Sequence, residues 1–431
     1  MADALKIGIA GLGTVGASLV RILQERHEML ATTCGRPIEL VAVAARDRSK
    51  DRGVDLAKTA WFEGAVALAS EADIDVFVEL MGGAGDPAYS SVKAALKRGI
   101  HVVTANKALL AKHGIELAAI AEEQGALLNY EAAVAGGIPV IKALRESLTG
   151  NTVSRVYGIM NGTCNYILTK MEKEGLTFEA CLKEAQRLGY AEADPAFDIE
   201  GNDTAHKLSI LTSLAFGTAI AADDIYLEGI TNISIEDIQA AADLGYRIKL
   251  LGVAQRTESG IEQRVHPTMV PYDSVIAQVD GVTNAVAVES DILGELLMVG
   301  PGAGGNATAS AVLGDIADIA KSRPGAQHVP AFGRPTTALM PYKQARMQSH
   351  EGGYFIRLKV VDRTGVFANI AGHMAENDIS LESIMQHSKH YADPAEPKRR
   401  SSWSRMPRTK SRRARRSSRS RARVISLESP R

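Results

Sequence analysis

The sequence predicts an α/β protein: a doubly wound parallel sheet, followed by an α+β domain. Three observations carry that prediction. From residue 5 to about 134, short continuous apolar runs alternate with stretches of helical period, as buried parallel strands joined by helices do. A turn with glycines at fixed spacing follows the first run directly. Beyond about 131 the alternation gives way to glycine-rich turns, longer helices and alternating strands.

LKIGIA at 5–10 suits a buried strand. GLGTVG follows with Gly11, Gly13 and Gly16, and ASLVRILQERHEML then reads as a helix. Strand, GxGxxG turn and helix in this order form a dinucleotide site. Gly11 allows the tight turn, Gly13 lets the backbone approach a pyrophosphate, and Gly16 lets helix and strand pack closely. Thr14 and Val15 share the helix N-terminus that faces the phosphates. A mere tight turn is the plain alternative.

IELVAVAA (38–45) is the second strand and ends at Arg46. An arginine there suits a ribose 2′-phosphate, so the cofactor reads as NADP, with NAD possible because Asp47 adjoins it. DIDVFVEL (73–80) and HVVTA (101–105) are further strands, with a helix over PAYSSVKAALKRG between them. MGGAG (81–85) and Lys107 then fall at the carboxyl edge of the sheet, where ligands bind. Lys107 could equally be a solvated surface residue. ALLNYEAAV (126–134) reads as the next strand and closes a Rossmann-type nucleotide domain over 1–130.

From 131 to 320 the sequence reads as an α+β substrate-binding, catalytic and dimerisation domain. EAAVAGGIPV is a glycine-rich turn in which Glu131 and backbone carbonyls could hold a hard cation, or which could serve as a hinge. IKALRESLTG is a helix, VSRVYGI a strand and NYILTKM a helix, with strands again at 243–256 and 263–270. VGPGAGGNATASAVLGDIADIA (299–320) repeats the glycine-then-helix theme. It either adds backbone donors near the cofactor, through Gly302, or packs back on the first domain. Residues 321–350 form a return segment and linker.

Composition bounds the function. At 431 residues the chain has room for two or three domains, and 45% hydrophobic residues fit ordinary globular ones. No run approaches the ~18 apolar residues of a membrane span, and the N-terminus lacks a signal peptide's basic leader. Cys34, Cys164 and Cys181 are few, odd in number and unpatterned, which predicts reduced thiols and a cytoplasmic protein. Thirteen Lys and Arg and no acid lie between 398 and 423, so a net charge of −1 less those thirteen leaves −14 on the rest. An acidic body predicts no nucleic-acid partner for the folded part.

The chemistry concentrates in RLGYAEADPAFDIEGNDTAHKLSIL (187–211). Asp203 and Lys207 stand at i, i+4 on an apolar helix, hence on one face. Glu192, Asp194, Asp198 and Glu200 load the loop before it. A carboxylate beside a lysine can hold its charge and aim it for proton transfer, although a surface ion pair has the same spacing. His206 on the same helix and Cys164 in the NGT loop read as structural and packing residues.

With these pieces together, the chain resembles the homoserine dehydrogenases, specifically the monofunctional bacterial type with a C-terminal ACT domain. The carrying segments are GLGTVG (11–16), TANKALL (104–110), YEAAVAGGIP (130–139), GIMNGTCNYIL (158–168), GYAEADPAFDIEGNDTAHKLSIL (189–211) and PGAGGNATASAV (301–312). The resemblance covers about 1–392 and implies reversible hydride transfer between NAD(P)H and L-aspartate 4-semialdehyde, giving L-homoserine. It implies Lys207 as proton donor, Asp203 and Glu192 on the substrate ammonium with Asp198 as a further partner, and Lys107 between cofactor and substrate. It also implies a sodium or potassium site of Glu131, by its side chain, with carbonyls of Val134, Gly136 and Ile138. A homodimer or homotetramer, and threonine as a feedback effector, complete the expectation. Another amino-acid oxidoreductase, such as an aspartate dehydrogenase, and a non-catalytic nucleotide and amino-acid sensor are the rival readings.

Residues 351–395 resemble the first half of an ACT domain, a βαββαβ fold, so this third domain reads as partial. Residues 396–431 read as a basic, disordered tail with little to bury. The abrupt switch suggests a reading-frame change near 395, with a basic interaction tail as the rival. A complete ACT domain and threonine control are thereby in doubt, while every active-site motif precedes 320.

Overall fold

The computed structural model describes residues 3–322, 328–345, 353–358, 360, 364–381, 384 and 422–427. The parallel sheet forms where the apolar runs predict it. Its strands are β1 (Leu5–Ala10), β2 (Ile38–Ala44), β3 (Ala60–Trp61), β4 (Val76–Glu79), β5 (His101–Thr104) and β6 (Leu128–Asn129), in the order β3-β2-β1-β4-β5-β6. All neighbours are parallel. Helices α1 (Thr14–Glu25), α2 (His27–Cys34), α3 (Ala65–Glu71), α4 (Ala88–Lys97) and α5 (Lys107–Gln124) make the crossovers. Order reverses beside β1, so the β1–α1 turn lies at the switch point where open sheets bind ligands.

The strand expected over 126–134 is shorter. β6 keeps two residues, and Glu131–Ala133 close a 3₁₀ turn. The reason is local: Ala135 and Gly136 take positive φ, 56° and 53°, which bends the chain out of the sheet.

The second half begins with α6 (Val140–Lys142), which widens into a π turn over Ala143–Ser147. There follow β7 (Val153–Ile159), α7 (Gly162–Glu174), α8 (Phe178–Arg187), α9 (Ala196–Ile199) and α10 (Asn202–Phe216). Then come β8 (Tyr226–Leu227), α11 (Ile235–Asp243), β9 (Tyr246–Thr257), β10 (Gly260–Pro271), β11 (Thr283–Ser290) and β12 (Gly294–Pro301). The order β12-β11-β7-β9-β10 is antiparallel throughout, with β8 parallel on β10. The strand expected from 243 starts at 246, because α11 runs to Asp243 and Gly245, at φ 83°, turns the chain out of the helix. α10 is buried on nearly every turn and packs against α5, β7, β9 and β10.

α12 (Gly305–Lys321) returns to the nucleotide half. Its Ala309, Val312, Ile316 and Ile319 share one buried cluster with Leu19, Val20 and Leu23 of α1 and Ile7 and Ile9 of β1. Of the two roles expected for the 299–320 segment, packing on the first domain is therefore in place.

Residues 355–424 cluster as a separate unit. Strand β13 (Gly353–Leu358) leads into it, and α13 (Val366–Glu376) begins after Gly365 at φ 88°. The expected basic tail, 396–431, lies outside the described residues except for β14 (Ala422–Leu427). There the apolar VISL run follows Arg423, and Ser426 pairs with Thr268 of β10. Among the described residues no helix is long and apolar enough to cross a membrane.

Candidate active site

The glycine turn is built by backbone crowding. Gly11 has φ 101°, and a Cβ there would come within 2.5 Å of the Leu80 carbonyl. A Cβ on Gly16 would stand 2.1 Å from the Gly11 carbonyl. Gly13 has nothing within 4 Å of its Cβ position, so the approach to the α1 N-terminus is open beside exposed Thr14 and half-buried Val15. Open backbone at a helix N-terminus is what a pyrophosphate requires.

Arg46 is exposed just past β2. Two neighbours do more there, Arg48, which the sequence already sets close by, and Arg52, which it did not single out. Arg52 donates from Nε to the Leu12 carbonyl inside the turn (3.2 Å) and also bonds the Asp47 carbonyl. The guanidinium carbons of Arg52 and Arg48 lie 5.6 and 5.8 Å from the centre of the Trp61 ring. A charged, irregular loop hides which of several arginines folds back.

On the facing side, the fully buried Glu79 carboxylate accepts from the Met81 and Gly82 amides (2.7 and 3.1 Å) and from the Thr104 hydroxyl (2.6 Å). Thr104 also accepts from the Asn106 amide, and the Asn106 side chain caps α5 at Leu109 while donating to the Gly83 carbonyl. One buried network thus fixes the 81–85 turn and the first residue of α5, Lys107. Nothing in the strand pattern singles out Glu79 from an ordinary apolar position.

Lys107 is half-buried and its Nζ lies 3.1 Å from Asp203 Oδ1. Asp203, 5% exposed in the first turn of α10, gives its other oxygen to Lys207 Nζ at 2.8 Å. Lys207, 9% exposed, also donates to the Met160 carbonyl at 2.7 Å. The pair at i, i+4 is therefore interior, not a surface ion pair. Burial alone would raise the Asp203 carboxyl. The two lysines and the Asn161 amide outweigh it and hold Asp203 well below the usual carboxylate range.

Asp198 at the end of α9 joins the cluster. Asn161 Nδ2 donates to Asp198 Oδ1 and to Asp203 Oδ2, 2.9 Å each, and Thr163 donates to Asp198 Oδ2 at 3.2 Å. Burial, then the neighbouring Asp203 charge, raise the Asp198 carboxyl above its ordinary value. Glu192 stands apart: it is exposed, and only its carbonyl is engaged, by Gln186. Cys164 is fully buried with its thiol donating to the Asp198 carbonyl, and burial pushes its pKa well up, as suits packing and not nucleophilic attack. His206 is half-buried edge-on to Phe197, and burial and Lys107 lower its pKa.

At the expected cation turn, Glu131 is buried and its two oxygens accept from the Ile141 and Lys142 amides, 2.8 Å each. Among the described residues the Val134 and Gly136 carbonyls accept no hydrogen bond, whereas that of Ile138 accepts from Val140. Gly136 is jammed against Gly302: a Cβ on Gly136 would lie 2.4 Å from the Gly302 carbonyl, and one on Gly302 would overlap Asn284.

A lysine pair sharing one carboxylate, in a chain that also carries an open glycine turn, suits hydride chemistry on a polar carbonyl substrate. Comparison with known proteins decides the family. The sequence profile for homoserine dehydrogenase matches 139–317, and that for the homoserine dehydrogenase NAD-binding domain matches 11–131. The homoserine dehydrogenase of Pseudomonas aeruginosa is 46% identical over 395 residues, 91% of this chain and 90% of that one. The chain belongs to the homoserine dehydrogenase family. The Corynebacterium glutamicum homoserine dehydrogenase is 44% identical over 392 residues, covering 90% of this chain and 87% of its own. The crystal structure of a homoserine dehydrogenase from Thiobacillus denitrificans superposes with a TM-score of 0.84 at 44% identity, covering 89% of each chain. A hyperthermophilic archaeal homoserine dehydrogenase, solved in complex with NADPH, gives 0.61 at 28% identity, over 73% of this chain and 96% of that one. The chain is accordingly an NAD(P)-dependent oxidoreductase that interconverts L-aspartate 4-semialdehyde and L-homoserine in amino-acid biosynthesis. The aspartate dehydrogenase and sensor alternatives fall with that membership.

Proposed function

We propose that Lys207 is the proton donor of this homoserine dehydrogenase, that Asp203 orients it, and that Lys107 stands between nicotinamide and substrate. The observation that supports this most directly is the Asp203 carboxylate shared between lysines from the two halves, 3.1 Å from one and 2.8 Å from the other. An ammonium has three N–H donors. Asp203 and the Met160 carbonyl use two on Lys207, leaving a third for the aldehyde oxygen. When bound, the nicotinamide supplies the hydride in one direction and accepts it in the other. The side chains do the rest: Lys207 donates its proton to the forming alkoxide and, in reverse, takes the hydroxyl proton. Asp198, with Asp203 and Glu192, receives the substrate ammonium. Glu192 must swing inward for this.

The cofactor takes Gly11, Gly13, Thr14, Val15, Gly16 and Gly302 by backbone, with Lys107 alongside. Arg46, backed by Arg48 and Arg52, favours NADP over NAD through the 2′-phosphate. A sodium or potassium ion would use the Val134, Gly136 and Ile138 carbonyls with Glu131, the free carbonyls of Val134 and Gly136 being the feature in its favour. We place the protein in the cytoplasm as a homodimer or homotetramer. Exposed Ile292, Leu293 and Val299, on the outermost strand β12 and the turn before it, support self-association. Threonine, if it acts, works through the unit beyond 354; the catalytic residues all precede 320 and do not require it.

Purified protein should oxidise NADPH when given aspartate semialdehyde, and NADH more slowly. No oxidation of either cofactor, with NADPH still binding, would overturn the residue roles. Strong saturable inhibition by threonine would restore the regulatory unit to full function.

A further inference from the structure

We propose that Asn161 is a positioning residue that divides labour between two neighbouring carboxylates, fixing buried Asp203 for the lysines and leaving half-buried Asp198 free for the substrate ammonium. The inference rests on the roles given above to Asp198, Asp203 and Lys207. Asn161 precedes α7, and its Oδ1 accepts from the Cys164 amide at 2.8 Å as the helix N-cap. That bond fixes which end of the amide is oxygen, so Nδ2 faces the acids. Its two N–H groups are then spent one each on Asp198 Oδ1 and Asp203 Oδ2, both at 2.9 Å. The side chain is 5% exposed, so water cannot substitute freely for it.

Two carboxylates this close repel, and one would ordinarily take up a proton. A neutral double donor between them lowers that cost without adding charge. Around the pair stand Lys207 on α10, Lys107 on α5, His206 on α10 and the Cys164 thiol on α7, with Glu192 and Asp194 exposed on the preceding loop. Both lysines reach Asp203 and none reaches Asp198 within 4 Å. Asn161 is the first of the groups that keep Asp198 ionised, ahead of the more distant Lys207 charge and the Thr163 hydroxyl. Lose the Asn161 donor and Asp198 holds its proton to higher pH, when it can no longer take an ammonium group.

Asn161→Ser keeps a helix-capping oxygen but cannot bridge both acids. Asn161→Asp keeps the cap and the shape but has no donor for either. Each variant, with Lys207→Ala and Asp198→Asn beside it, is assayed for kcat and KM for aspartate semialdehyde across pH, NADPH binding by fluorescence, and thermal unfolding. Expected for Asn161→Ser is a loss of about tenfold or more in kcat/KM, the scale of a hydrogen bond to a charged group, with the acid limb of the profile moved to higher pH. Asn161→Asp loses more, and NADPH binding is retained in both. A folded variant that keeps kcat/KM within about twofold and the parent's acid limb, less than the scale of one such bond, overturns the proposal. So does failure of both variants to fold: each keeps the capping oxygen, so the lost donors would then serve the fold and not the division between the acids. Were Lys207→Ala fully active, the underlying roles would fail instead, independently of Asn161.

Discussion

The glycine turn at 11–16 and the acid–lysine cluster at 198–207 solve opposite problems. The turn works by absence: α1 starts so close that a Cβ on Gly16 would lie 2.1 Å from the Gly11 carbonyl, and open space at Gly13 admits a ligand. The cluster works by presence. Asp203, Asp198, Lys107, Lys207 and Asn161 come from three helices and the residue ahead of α7, and each is satisfied by another. A site made of backbone tolerates no addition, whereas a site made of compensating charges tolerates no subtraction.

Lys207→Ala breaks the comparison hardest. Turnover should fall about 10²-fold or more, while NADPH binding, which belongs to the turn, stays near the parent value. Unchanged turnover in steady-state assays would remove the proton donor. Asp203→Ala tests whether the cluster also holds the fold. Removing one partner of a buried ionic group costs roughly 3–5 kcal/mol, because both lysines lose their compensating charge. The sign with pH follows from the depressed Asp203 carboxyl. Its stabilisation is present above the ordinary carboxylate pKa and disappears as pH falls through the lower folded value. The gap in Tm between parent and variant should therefore narrow on acidification below about pH 4. A gap constant with pH would show that the lost stability is not ionic.

Gly13→Ala should do the reverse of both. Its Cβ meets nothing in the protein, so Tm should hold, while affinity for NADPH drops about tenfold or more by obstruction of the phosphates. Arg46→Ala sharpens the turn's own chemistry on a smaller scale: a severalfold loss for NADPH with little change for NADH, since one exposed charge contact is worth about 1 kcal/mol. The smallest effect is at Cys164. Its buried, hydrogen-bonded thiol should escape alkylation in the native protein at neutral pH, and mass spectrometry after brief iodoacetamide treatment would detect labelling that contradicts this.

These differences explain what the sequence could and could not disclose. GLGTVG announces itself because a backbone site leaves glycines at fixed, short spacing. Asp203 and Lys207 share a helical face, so their pairing was legible; Lys107 stood out at the sheet's carboxyl edge, and the resemblance gave it a role. Asn161, Arg52 and Glu79 were not seen, because each acts through a partner distant along the chain: Asp198 and Asp203, the Leu12 carbonyl, and Thr104. The early end of β6 escaped for a different reason. ALLNYEAAV has strand-like apolarity, and neither the 3₁₀ turn at Glu131–Ala133 nor the positive φ at Ala135 and Gly136 leaves a mark in that pattern.

The homecoming of α12 has a practical corollary. Residues 305–321 complete a cluster that also holds Leu19, Val20 and Leu23, some three hundred positions earlier in the chain. A fragment cut after 130 would leave that greasy stripe wet, so the cofactor-binding half is not severable by a single scissor stroke. Grafting this half onto another scaffold calls for both sequence ends, spliced as two pieces of one module.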